Sequence, residues 1–225
     1  MTSPTVAANE PAGAPQPDST ESWRTDPATG TMPSGLLTDL EQFDERIYDA
    51  LAAPLGPPFD KALSLITNAA DHSKLSVAMA AGLALLGGSR GRWAAATGLT
   101  SVALTSATAN AVVKPLARRR RPARSEQHLA HPRESSHHVP MPESHSFPSG
   151  HSAAAFAFAT GVATVWPGAA RVPAVVAVVV GYSRVHAGVH FPGDVVLGAL
   201  LGSGIGLAVG RRGKALSARL RNQSR

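Results

Sequence analysis

Five stretches without a charged residue occupy the middle of the chain: residues 75–89, 93–113, 152–170, 172–183 and 195–210. Nothing else in the sequence narrows the choice of fold as much. A helix that crosses a bilayer core needs roughly 20 residues, with about 17 to 25 tolerated. Residues 93–113 and 152–170 meet that length directly. The other three runs are shorter, and 172–183 crosses only if its helix continues through Arg171 or Arg184. A soluble protein with buried core helices is the plainer alternative. It is disfavoured because charges are confined to the connections and the apolar runs follow one another closely. Gly and Ala are frequent inside the runs, which suits close helix packing in lipid. The expectation is an all-α integral membrane helical bundle of about five transmembrane helices with an amphipathic N-terminal helix.

That N-terminal helix is read from Leu36, Leu37, Leu40, Phe43, Ile47, Tyr48 and Leu51, which recur at helical spacing. Asp39, Glu41, Asp44, Glu45 and Asp49 lie between them, and Pro54, Pro57 and Pro58 end the pattern. Its acidic polar face argues against docking on anionic lipid, so it is expected to pack against the protein's own membrane part. A second short helix is expected over residues 59–70. Residues 1–33 are rich in Pro, Ala, Thr, Ser and Gly and read as disordered. They lack the basic start and apolar core of a secretory signal. The expected organisation is a disordered segment at 1–35, a membrane domain at 36–210 and a basic C-terminal tail at 211–225.

The net charge of +6 is concentrated at residues 118–121 and in that tail. Basic chains meet nucleic acid, membrane surfaces or anionic substrates. With only 5% aromatic residues there is little to stack on bases, so nucleic acid is not expected as a partner. The chain has no cysteine, which excludes a disulfide framework and thiol chemistry. If all five runs span, Arg90, Arg92, Arg171 and the tail share one side, which the positive-inside rule makes cytoplasmic. Residues 114–150 and 184–193 then face the other side. The 114–150 loop carries seven Lys or Arg itself, several of which look committed to a ligand. The expectation is a multi-pass cell-membrane protein with a cytoplasmic tail and an extracytoplasmic site.

Three polar clusters fall at edges of apolar runs on that second side. One is Lys114 with six residues before Arg121-Pro122; another is Pro148-Ser149-Gly150-His151. The third is Ser183-Arg184, five residues before His190, with three more before Asp194. Ionisable residues at membrane edges are costly unless they serve a site. Pro148 and Gly150 precede an apolar run, the pattern of a loop feeding a helix N-terminus with Ser149 as its cap. Such a terminus attracts phosphate through unpaired N–H groups. His190 and Asp194 are four apart, so one helical turn brings them within reach. A carboxylate on one imidazole nitrogen fixes the tautomer and makes the other a better nucleophile or base. Lys114, Arg121 and Arg184 supply cations for phosphate and its transition state, and His151 could protonate a leaving oxygen.

Together these clusters resemble the three-part signature of the type 2 phosphatidic acid phosphatase superfamily. That family includes lipid phosphate phosphatases, polyprenyl pyrophosphate phosphatases, soluble acid phosphatases and vanadium haloperoxidases. All three parts stand in the family's order and with its internal spacings; the resemblance covers about residues 71–210. It implies His190 as the nucleophile that forms a phosphohistidine, Asp194 as its orienting partner and His151 as the acid. It implies Lys114, Arg121, Ser149, Gly150 and Arg184 as holders of the phosphoryl oxygens, with no metal and no cofactor. The implied substrate is a lipid phosphate mono- or diphosphate ester, of phosphatidic acid or polyprenyl type. Membrane lipids are the other expected partners, and the oligomeric state is left open. A vanadate-dependent haloperoxidase-like enzyme and a non-enzymatic protein that binds anionic lipid are the alternatives.

Other residues receive plainer readings. Arg118, Arg119 and Arg120 are expected to meet solvent or lipid headgroups. His128, His131, His137, His138 and His145 match no common zinc spacing and lie in a loop rich in Pro, Ser and Glu. Asp71 is expected to cap a helix, His72 to be exposed, and His186 to pack or bond near the site.

Overall fold

A computed structural model describes residues 34–53, 55–117, 119–122 and 145–223. The helices are α1 (Ser34–Leu51), α2 (Pro57–Ala69), α3 (Lys74–Leu86), α4 (Gly88–Thr108), α5 (Lys114–Ala117), α6 (Gly150–Val165), α7 (Arg171–His186) and α8 (Pro192–Gln223). A π-helical turn at Ala109–Val113 joins α4 to α5, and 3-10 turns at Asp71–Ser73 and Pro167–Ala170 precede α3 and α7. No strand occurs among the described residues. Residues 1–33 of the expected disordered segment lie outside them, its last two residues opening α1; residues 123–144 of the loop, with His128, His131, His137 and His138, lie outside them as well.

Contacts divide the chain into two units, Met1–Gln42 and Phe43–Arg225. Among the described residues the first unit holds only the opening turns of α1. The second unit contains every apolar run and all three polar clusters.

Helix α6 is the centre of that second unit. It packs on α4, α7 and α8, and Ala153, Ala157, Phe158 and Val162 on it are wholly buried. Phe158 and Val162 meet Ala94, Ala95 and Val102 of α4 and Ala80 of α3. The close approach of α8 to α6 is set by a glycine every fourth residue. A Cβ on Gly198 would stand 2.6 Å from the Ser149 carbonyl oxygen, and one on Gly202 would overlap the Ala153 carbonyl. Where lipid replaces water, packing of this kind supplies the attraction between helices that burial supplies elsewhere.

Two segments, Pro167–His186 and Pro192–Leu216, are long and apolar enough to cross a membrane. The short 172–183 run gains its length by the extension it required, through Arg184 at one end and the turn before Arg171 at the other. The remaining runs fall below that standard for separate reasons. Helix α3 has 13 residues and α6 has 16, about 20 and 24 Å at 1.5 Å per residue. The 93–113 run is long enough but is diluted by Thr97, Ser101, Thr105 and Asn110. Large apolar side chains nonetheless point outward on several helices, including Leu85 and Leu86 (83% and 90% exposed) and Val172, Val175 and Val178 along one face of α7. Outward apolar side chains of this kind mark a surface that meets an apolar partner or lipid.

From Phe43 onward, α1 docks where the sequence reading expects, on the protein itself. Tyr48 and Ala52 are buried against Val185, with Phe191 and Val195 beside them. The Tyr48 and Phe191 rings meet edge to face at 5.6 Å. Past residue 210 the chain remains helical: α8 runs on to Gln223, carrying Arg211, Arg212 and Lys214, all exposed, on its later turns. Arg90, at the start of α4, donates to the Val165 carbonyl at 3.3 Å and lies over the Trp166 ring. The starts of α4 and α7 and the end of α6 therefore share one end of the unit.

Candidate active site

The opposite end gathers all three polar clusters, and hydrogen bonds stitch them together. The Ser146 N–H donates to the Arg119 carbonyl at 2.9 Å, and the Ser149 N–H donates to the Asp194 carbonyl at 3.0 Å. Arg121 Nη1 donates to the Val189 carbonyl at 2.6 Å. These bonds join segments of all three clusters at one end of the unit.

Helix α6 starts as the sequence dictates. Ser149 is extended and wholly buried, its hydroxyl accepts from the Ser152 N–H at 3.4 Å, and helical geometry begins at Gly150. The first-turn N–H groups of Gly150 and His151 have no intrahelical acceptor and carry the positive end of the helix. Lys114 Nζ comes to within 3.8 Å of where a Gly150 Cβ would stand, so the first cluster's amine faces the second cluster's glycine. Burial, and then Arg121, hold the Lys114 pKa below its usual range.

Arg184, in the last turn of α7, is 1% exposed. Its Nη1 donates to Thr67 Oγ1 of α2 at 2.8 Å, while its Nε has no protein partner. A buried guanidinium with a spare donor is poised to take an anionic oxygen.

His190 lies in the turn before α8 and is almost wholly buried. Its Nε2 is 3.2 Å from Arg121 Nη1. A guanidinium can only donate, so Nε2 accepts and the ring proton sits on Nδ1. Nδ1 faces Asp194 Oδ2 at 3.5 Å, just beyond hydrogen-bond length, and has no closer partner. The spacing of four thus brings the pair together without closing the bond. Burial holds the His190 pKa down at about 4; Asp194 raises it, and Arg121 and Arg184 lower it further. The imidazole is neutral at pH 7, and the lone pair on Nε2 is directed at Arg121 Nη1.

His151, one residue into α6, has its Nε2 2.7 Å from Asp71 Oδ1. Its pKa is also lowered to about 4, first by burial and then by Arg184, with Asp71 opposing and Lys114 adding. Asp71 is therefore not the helix cap expected of it: no side-chain cap bond is made there, and the carboxylate serves His151 instead.

Asp194 is fully buried and multiply bonded. Its Oδ2 accepts from the Ser146 hydroxyl and from the Phe191 N–H at 3.0 Å; its Oδ1 accepts from Arg119 Nη1 at 3.0 Å. The expectation that Arg119 meets solvent or headgroups is overturned, whereas Arg120 is exposed as expected and Arg118 lies outside the described residues. His145 is exposed and lends its carbonyl to Arg121 at 3.4 Å. His186 is buried, with Nε2 2.9 Å from Asp60 Oδ1. Thr67, Asp71, Ser146, Arg119 and Asp44 are the site's unforeseen members. Only Ser146 and Asp71 carried a signal, one beside the Pro148–His151 cluster and the other a charge at the edge of an apolar run.

A helical bundle whose α6 and α8 N-termini present two histidines to three cations defines a class of phosphate-directed site. Residues 94–214 match the PAP2 superfamily, and the chain belongs to it. The fold is similar to that of a transmembrane PAP2 type phosphatidylglycerolphosphate phosphatase from Bacillus subtilis, at a TM-score of 0.58 and 26% identity, covering 79% of this chain and 87% of that one. It is also similar to Aquifex aeolicus LpxE, at a TM-score of 0.55 and 23% identity, over 73% and 92% of the two chains. An undecaprenyl-diphosphatase from Sulfolobus acidocaldarius is 43% identical over 70 residues, which are 29% of this chain and 32% of that protein. The chain thus matches about a third of that relative's length.

Proposed function

We propose that this protein is a membrane lipid phosphate phosphatase that works through a phosphohistidine on His190. The observation that carries this reading is the environment of His190: a neutral imidazole, its Nε2 unprotonated, facing the Arg121 guanidinium where a phosphoryl group would dock. Lys114, Arg121, Arg184 and the α6 N-terminus hold the phosphoryl oxygens and offset the charge that develops in transfer. Nε2 forms a bond to phosphorus while the bond from phosphorus to the ester or anhydride oxygen breaks. That oxygen takes a proton from His151. Water then attacks the phosphohistidine, returns a proton to His151, and releases phosphate with His190 restored. A pKa of about 4 leaves His151 mostly neutral in the free site. The negative charge of the bound substrate raises it toward the range an acid needs. The cations supply what a metal ion would, so the reaction is metal-independent.

The substrate is a lipid carrying a terminal phosphate or diphosphate. The B. subtilis and S. acidocaldarius proteins act, by their names, on phosphatidylglycerol phosphate and undecaprenyl diphosphate, and the outward apolar faces here suit a substrate presented from a bilayer. We take all five apolar runs to cross it, the shorter helices within a locally thinned or tilted arrangement. Asp194 stands in the first turn of α8 and Arg211 well along the same helix, about 26 Å away at 1.5 Å per residue. If the basic end is cytoplasmic, the site is extracytoplasmic.

The test is phosphate release from a panel of lipid phosphates and diphosphates in detergent, for wild type and His190→Ala. Release by the wild type, unaffected by chelators and abolished in the variant, is expected. Release that survives His190→Ala refutes the mechanism.

A further inference from the structure

We propose that Asp44 and Arg119 are positioning residues for His190: a carboxylate on α1 holds a guanidinium, and that guanidinium holds the carboxylate that faces the imidazole. The inference rests on His190 being the phosphoryl acceptor. Arg119 lies inside the first polar cluster but at none of its fixed positions, and Asp44 comes from the amphipathic N-terminal helix.

The geometry is a chain of charges. Asp44 Oδ2 accepts from Arg119 Nη2 at 2.7 Å, and Arg119 Nη1 donates to Asp194 Oδ1 at 3.0 Å. The guanidinium lies 4.3 Å above the Phe191 ring, which fixes its plane. Asp44 grips the same region a second time, its Oδ1 accepting the Gly193 N–H at 2.7 Å in the first turn of α8. A Cβ at residue 193 would stand 2.9 Å from Asp44 Oδ2, so the glycine is what admits the carboxylate. The two oxygens of Asp194 have separate tasks. Oδ1 is held by Arg119, while Oδ2, which accepts from the Ser146 hydroxyl and the Phe191 N–H, faces His190 Nδ1 at 3.5 Å. Pinning one oxygen fixes the carboxylate plane and so presents the other to the ring. Without Arg119 only the Ser146 and Phe191 bonds to Oδ2 remain, the carboxylate can pivot about them, and the imidazole is held less firmly in its orientation. Docking of α1 from Asp44 onward is then a condition for full activity.

The groups that face His190 are Asp194 of α8, Arg184 of α7 and Arg121 of the segment after α5, with Arg119 behind Asp194. Removing the Arg119 charge leaves Asp194 less balanced and favours the protonated imidazole. Arg119→Met is expected to lower kcat roughly 10- to 100-fold, the scale of a misplacement near 1 Å, with KM nearly unchanged. The acid limb of its kcat/KM profile is expected to move to higher pH. Arg119→Lys recovers part of the loss, and Arg120→Met, one residue on and exposed, matches wild type. Asp44→Asn, which keeps the acceptor for Gly193, gives a smaller loss in the same direction. It adds little to Arg119→Met in the double variant, because both act along one path. An unchanged kcat with an unmoved acid limb in Arg119→Met overturns the proposal, as does full additivity of the two substitutions. Titration of the His190 ring by nitrogen-15 NMR reads the network without turnover. An upward move there in Arg119→Met, in a protein that cleaves no lipid phosphate, supports the positioning chain and sinks the functional reading instead.

Discussion

Substituting Gly198 by alanine tests whether the two halves of the site are held at a fixed distance by the packing of α8 on α6. The new Cβ would lie 2.6 Å from the Ser149 carbonyl oxygen and 3.4 Å from the Ala153 nitrogen. Ordinary contact begins near 3.4 Å, so only the Ser149 side is violated, by about 0.8 Å. The opposing atom is backbone at the start of α6 and cannot rotate aside, so Ser149, Gly150 and His151 must move away from His190. A 1 Å misplacement of reacting groups costs on the order of 100-fold, which scales to roughly 40-fold in kcat for 0.8 Å. Gly204→Ala is the control, on the same helix with open space around its Cβ. It gains about 1 kcal/mol of helix propensity and is expected to keep full activity. Phosphate release and thermal stability in detergent are measured together. If Gly198→Ala releases phosphate as fast as Gly204→Ala, the start of α6 is not fixed against α8 and the steric reasoning is wrong.

Three further outcomes are expected. His151→Ala should slow hydrolysis of an alkyl phosphate by roughly 100- to 10,000-fold, the scale of general acid catalysis, and of p-nitrophenyl phosphate far less, since that leaving group departs without a proton; equal losses would remove the acid role. Thr67→Val strips a buried partner from Arg184 and should cost about 1.5 to 3 kcal/mol of stability together with a raised KM, with Thr67→Ser restoring both; a KM that stays put would separate Thr67 from substrate binding. Because folding lowers the His190 pKa from 6.5 to about 4, the unfolded chain binds more protons between those values, so stability falls as pH falls. The contribution, on the order of 3 kcal/mol, is complete above pH 6.5 and lost by about pH 4. His190→Asn should remove about half of the acid loss seen in unfolding experiments, His151 accounting for much of the remainder; an identical pH dependence in the variant would contradict it.

The eight residues expected in the site lie in short local motifs, which is why they could be singled out from the sequence: a cap with a helix after it, two residues one turn apart, a cation at the edge of an apolar run. Their partners could not be. Asp44, Thr67 and Asp71 reach residues far along the chain only because α1, α2 and the turn after it fold back onto the starts of α6 and α8 and the end of α7, and no periodicity encodes that. Arg119 shows the limit most clearly. Within four successive arginines nothing distinguishes it, yet past Ala117 the chain leaves the helix, and Arg119 and Arg121 turn inward while Arg120 turns out. Such every-other-residue alternation belongs to non-helical backbone, and the sequence does not announce where the helix stops. Helix count was harder still, since the 93–113 run reads as a span by its lack of charge and not by its hydropathy.

The unbroken length of α8 has a mechanical meaning. The carboxylate that serves the reacting imidazole and the arginines at the far end ride on one stiff rod, with no joint between them. In the proposed orientation the height of the chemistry above the membrane is set by where those arginines anchor. In that orientation the site keeps a fixed distance along α8 from the anchored arginines, and the lipid headgroup has to meet it there.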